Sequence, residues 1–88
     1  MKAKRLEILQ IILKPYTLDV LKAVASQRKR YNDLKKQVKN DRTLSLKLST
    51  LQDYGLIRMV HVKLNGKYVN LYEITSEGKK FLERLKTL

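Results

Sequence analysis

A mainly helical α+β domain with one two-stranded hairpin is the fold class this sequence predicts, on three observations. Apolar residues recur at helical spacing over four stretches before Gly55, the period then changes to two around Asn65-Gly66, and helical spacing returns after Thr75. The chain has 88 residues, enough for one domain and too few for two, and its 43% hydrophobic content supplies a core.

The first helix is expected where Leu6, Ile8, Leu9, Ile11, Ile12 and Leu13 follow the basic residues Lys2, Lys4 and Arg5, and Pro15 ends it. Thr17 is expected to cap a second helix, with Asp19 in its first turn and Val20, Leu21, Val24 and Ala25 facing inward. Gln27 to Arg30 then reads as a basic turn. A short third helix is expected over 32–38, capped by Asn32 and held by Leu34 and Val38, with Lys35, Lys36 and Lys39 outside. Asn40 and Asp41 interrupt the pattern, and a fourth helix is expected from near Thr43 to Tyr54, stopped by Gly55. At about 100° per residue, Leu44, Leu48 and Leu51 fall within roughly 40° of one another and form its buried stripe.

Asn65-Gly66 between two alternating runs is the strongest short-range signal for a type I′ hairpin. A two-residue turn pairs Leu64 with Lys67, Val62 with Val69, Val60 with Leu71 and Arg58 with Glu73 on one side of the count. It also pairs Ile57 with Ile74, Met59 with Tyr72 and His61 with Asn70. A last helix is expected after Thr75, its cap, with Phe81, Leu82, Leu85 and Leu88 facing inward.

Helix, helix, short helix, turn, helix, hairpin, helix is the order of a winged helix-turn-helix, whose second motif helix enters the major groove of DNA. The charge agrees: 20 Lys and Arg against 8 Asp and Glu give +12, a surface that attracts phosphate. Arg42, Thr43, Ser45, Leu46, Lys47, Ser49 and Thr50 are the candidates to meet base edges. Leu46 has two readings, contact with a thymine methyl or burial by a slightly rotated helix. Lys35, Lys36 and Lys39 are candidates for the DNA backbone, as is Arg30 at the end of the basic turn, for which a solvated loop is the plainer reading. At the wing, the candidates are Lys63, Asn65, Gly66, Lys67 and Tyr68; the tip has no arginine for the minor groove, and Lys63, Lys67 and Tyr68 can reach phosphates instead.

The runs Tyr31-Asn32-Asp33-Leu34, Thr43 through Arg58, and Tyr72-Glu73-Ile74-Thr75-Ser76-Glu77-Gly78 resemble the small archaeal and bacterial winged-helix regulators of the MarR-like and HxlR-like kind. The resemblance covers residues 17–85 and implies a homodimer joined through terminal helices and binding an operator. The apolar surplus at both ends supports that pairing, with Leu6, Leu9, Ile12, Leu13, Phe81, Leu82, Leu85 and Leu88 as interface candidates.

Other classes are disfavoured. The chain has no cysteine and one histidine, His61, so a nitrogen/sulfur zinc site is not expected, nor is a disulfide. The acidic residues are scattered and no catalytic set or phosphate loop assembles, so no enzyme is expected. No cofactor, small-molecule ligand or membrane span is read, and the expected location is the cytoplasm. Double-stranded DNA is the expected partner, with nonspecific coating of DNA or RNA, or a protein-interaction role, as the competing readings.

Overall fold

The computed structural model describes residues 5–86, with side chains from residue 9 onward. Five helices and one hairpin follow in the order α1 (Arg5–Ile12), α2 (Thr17–Ser26), α3 (Tyr31–Leu34), α4 (Asp41–Asp53), β1 (Ile57–Leu64), β2 (Lys67–Ile74) and α5 (Ser76–Lys86). The core is a cluster of Ile12, Val20, Leu21, Val24, Leu34, Val38, Leu44, Leu48, Leu51, Leu56 and Ile57. Each of its fully buried leucines stabilises the fold by roughly 1.5–3 kcal/mol over an exposed one. Phe81, Leu82 and Leu85 of α5 close the cluster from one side while staying partly exposed.

Several helix boundaries depart from the sequence expectation. Thr17 is not the cap of α2: Tyr16 holds that position in the left-handed region (φ 68°), and Thr17 is buried inside the first turn. The third helix is a single turn, Tyr31–Leu34, rather than 32–38. Asn32 does not cap it; the Asp33 carboxylate reaches back and accepts from the Arg30 backbone N–H at 3.1 Å. Asn40 and Asp41 do not interrupt the chain before α4. Asn40 is the cap, its side-chain oxygen accepting from the Thr43 N–H at 3.0 Å, and Asp41 opens the helix where the dipole favours a negative charge.

The hairpin has the register read from the sequence at all seven pairs named above, from Ile57 opposite Ile74 to Leu64 opposite Lys67, with Lys63 opposite Tyr68 as the eighth. Asn65 (φ 52°) and Gly66 (φ 82°) supply the two positive φ angles that a type I′ turn needs. The 27–30 segment is more than a turn. Lys29 pairs with Tyr72 as an isolated bridge, donating to the Tyr72 carbonyl at 3.0 Å and accepting from its N–H at 2.7 Å. That rung ties the base of the wing to the helical body. Just past this same end of β2, the Thr75 hydroxyl accepts from the Gly78 N–H at 3.0 Å and so caps α5, as its position suggested.

Candidate nucleic-acid interface

The α4 helix is fixed from below by Leu44, Leu48 and Leu51, all at most 2% exposed. With Leu44 pointing inward, the 100° step leaves Arg42, Leu46, Ser49 and Asp53 at the crest, and these four side chains are exposed. Leu46 is 61% exposed, so the helix is not rotated to bury it.

The two flanks of α4 differ. On the α3 side, the Tyr31 hydroxyl lies 3.0 Å from the Asp41 carbonyl, 3.3 Å from its carboxylate and 3.1 Å from Ser45 Oγ. Donating to Asp41, it can accept from Ser45, so one phenol fixes the first turn of α4 and one of the candidate base-reading side chains. Lys35 adds an ion pair to Asp41 at 3.1 Å. The contact of Tyr31 with Asp41, ten residues away, depends on how α3 and α4 meet and has no local signal in the sequence.

On the opposite flank, Thr43, Lys47 and Thr50 face the end of α1 and the start of α2 across an open groove of about 210 Å³, walled by Ile11, Lys14, Thr17 and Leu46. Lys47 turns into this groove and donates to Thr17 Oγ1 at 2.9 Å. Burial of its ammonium, followed by the nearby Lys14 charge, holds its pKa below the ordinary lysine value.

The remaining basic candidates lie outside the core: Arg30, Lys36 and Lys39 are exposed and Lys35 is half-buried. At the wing, Lys63, Asn65, Gly66, Lys67 and Tyr68 are all exposed. Tyr68 stacks on His61 with ring centres 4.9 Å apart, and Lys63 Nζ sits 5.8 Å from the Tyr68 ring centre. His61 Nδ1 and Asn70 Oδ1 are 2.6 Å apart, so the histidine is engaged within the hairpin. Deeper in the wing, Glu73 joins Arg58 on the facing strand and Arg28 on the basic turn, the latter at 2.9 Å. The hydrogen bond from Arg58, aided by both guanidinium charges, lowers the Glu73 pKa below the usual carboxylate range.

The candidates at the termini separate into three groups. Ile12 lies inside the protomer's own core, whereas Leu13 is 82% exposed. Leu9, Phe81, Leu82 and Leu85 are half-buried. The Leu6 side chain and Leu88 lie outside the described residues. An open groove of about 690 Å³ between α2 and α5 exposes Leu18, Ala25, Leu82 and Leu85, with Lys22 and Lys79 among its polar neighbours. Among the described residues no helix is long and apolar enough to cross a membrane.

A helix pinned by a leucine stripe, preceded by a short helix and followed by a hairpin, defines a winged helix-turn-helix protein. The chain belongs to the HxlR-like helix-turn-helix family, whose model matches residues 11–88. It is thereby homologous to helix-turn-helix transcription regulators, and its family and structural neighbours are regulators rather than enzymes.

Among solved structures it is similar to the reduced form of the transcriptional regulator YodB from B. subtilis, with a TM-score of 0.82 and 12% identity over 99% of this chain and 87% of that one. A MarR-family protein from Porphyromonas gingivalis W83 gives a TM-score of 0.75 and 21% identity over 99% of this chain and 89% of that one. A PadR-family transcription regulator from Clostridium difficile R20291 gives 0.70 and 22% over 82% and 83%. At these identities the likeness is one of fold. No curated protein matches the chain in sequence.

Proposed function

We propose that this protein is a sequence-specific, double-stranded DNA-binding transcription regulator that acts as a homodimer. The observation carrying the proposal is the crest of α4: Arg42, Leu46 and Ser49 are uncovered by the chain's own residues, on a helix that Leu44, Leu48 and Leu51 hold firmly to the core. In this reading Arg42 contacts a guanine edge and Leu46 a thymine methyl, with Ser45 and Ser49 allowing close approach. Thr43, Lys47 and Thr50 lie along the edge of the same surface. Arg30, Lys35, Lys36 and Lys39 contact the backbone on one side of the groove, and Lys63, Lys67 and Tyr68 extend the contact from the wing around Asn65-Gly66.

The +12 charge supports a phosphate-rich partner. Dimerisation is supported by the exposed Leu13 and the apolar groove beside Leu82 and Leu85, with Leu9 and Phe81 close to the same ends of the chain. Two copies of α4 would then meet successive major grooves about 34 Å apart, on a pseudo-palindromic site.

Selection of duplexes from a random pool, followed by competition at fixed salt, tests the reading. A preference of about 10³ or more over random duplex is expected. Equal binding of all duplexes would instead identify a coating protein, and failure to bind any would leave an interaction module. On the selected duplex, Arg42→Ala should relax preference at particular base pairs, and Lys36→Ala should weaken every sequence alike.

A further inference from the structure

We propose that Lys14 and Lys47 form a phosphate site on the flank of α4 remote from α3, gripping the second backbone wall of the major groove that α4 enters. The inference rests on the DNA-binding reading above and assigns it a contact surface that the sequence did not reveal.

A helix lying in the major groove has a phosphate strand on each side of it. On one side stands the basic group of Lys35, Lys36 and Lys39. The other flank of α4 carries Thr43, Lys47 and Thr50, and across a groove of about 210 Å³ from them stands Lys14, on the turn between α1 and α2. Two ammonium groups therefore face one open groove, and none of its described lining residues is acidic. This contrasts with the other flank, where Lys35 has Asp41 at 3.1 Å, and with the wing base, where Arg28 and Arg58 share Glu73. Among the described residues, Lys47 has only the neutral Thr17 hydroxyl, at 2.9 Å, on a threonine that is itself 1% exposed.

Two like charges beside half-buried hydroxyls repel each other until an anion comes between them. A phosphate oxyanion supplies that charge, accepts from both ammonium groups and from the threonine hydroxyls, and does so as a point contact suited to lysine. The groove opens along the flank of the exposed crest of α4, so a duplex seated on that crest brings a backbone phosphate to it. Phosphodiester of the bound duplex is the occupant the position favours over a free phosphate.

The test uses the full chain, the selected duplex and the variants Lys14→Ala, Lys14→Arg and Lys36→Ala. Lys14 is exposed, so its removal should leave the unfolding midpoint unchanged. Each lost phosphate contact should lower the slope of log affinity against log salt by about 0.9 per protomer, so that between about 50 and 200 mM salt Lys14→Ala loses about 3.5-fold less affinity than wild type for each contact. Lys14→Arg should restore the slope. Phosphate ethylation interference should lose one position per half-site in Lys14→Ala, on the strand opposite the position lost in Lys36→Ala.

An unchanged slope and footprint in Lys14→Ala, with Lys36→Ala still altered, overturns the phosphate site and leaves the DNA-binding reading standing. No duplex binding by wild type overturns both. Inorganic phosphate alone is titrated by the amide NMR shifts of Thr17 and Thr43. Saturable shifts there, with duplex contacts unaltered in Lys14→Ala, would assign the groove to a free anion and overturn the proposal.

Discussion

Gly78 lies where α5 crosses the start of the wing. A Cβ at this position would overlap the carbonyl oxygen of Leu56 and press on Ile74. That carbonyl is already held, accepting from the Thr75 N–H at 3.1 Å, so the obstacle is fixed backbone rather than a movable side chain. Gly→Ala in a helix interior usually gains up to about 1 kcal/mol of propensity. Here the overlap outweighs it, and Gly78→Ala should destabilise the domain by roughly 1–3 kcal/mol in urea unfolding. An equal or more stable variant would show that α5 can shift away from Leu56 freely.

Glu73 gives a second prediction, from its charge. Its folded pKa is depressed by Arg58 first and Arg28 after it, so its contribution to stability is complete above the ordinary carboxylate pKa and is lost as pH falls through the lowered folded value. Glu73→Gln removes that linkage. Its unfolding free energy should fall less steeply on acidification below about pH 5 than that of wild type, measured by urea titrations at each pH. Parallel pH profiles would mean that the two arginines do not act on Glu73 in solution.

At the scale of the element, α4 begins two residues earlier than its apolar spacing announces. Asn and Asp read as breakers because their side chains compete for backbone hydrogen bonds; one position before a helix, the same competition becomes a cap. Asn40→Ala should cost about 1 kcal/mol, since the Thr43 N–H loses its acceptor. Thermal unfolding checks this, with a drop of roughly 4–8 °C expected for a domain of this size.

The hairpin, by contrast, was legible pair for pair, because a two-residue turn with Asn-Gly leaves the register no freedom. The leucine stripe of α4 was equally legible from its period. The contacts between elements were not. Tyr31 on Ser45, Lys47 on Thr17 and Lys29 on Tyr72 join residues 14 to 43 positions apart, and no local pattern encodes which helix face meets which turn. The candidate site was thus readable as a list of side chains on one helix, while its division into a phenol-braced flank and a lysine-lined flank required the packing of α1, α2 and α3 around it.

For the whole molecule, the surplus of apolar residues at the termini resolves only in part within one chain. Ile12 is absorbed by the core and Leu13, the next residue, is left outside it. Because Leu13 contributes little to the protomer's own packing, Leu13→Lys should leave the fold intact while opposing any pairing through this end. Light scattering should then report half the wild-type mass, and affinity for a two-half-site duplex should fall far more than affinity for a single half-site. A wild-type mass equal to one chain would remove the dimer from the proposal while leaving α4 and its flanks as a monomeric binding surface.

The rung between Lys29 and Tyr72, with Arg28 on Glu73, fastens the ribbon at its root; beyond Val62 and Val69 every residue of it is exposed. Lengthening a surface loop costs only about 0.6 kcal/mol per doubling, so extra residues spliced in after Asn65 will leave the root undisturbed and be carried outward. In the proposed DNA-binding reading, reach along a duplex can therefore be tuned by adding or trimming at that free extremity, with no compensating change anywhere in the helical body.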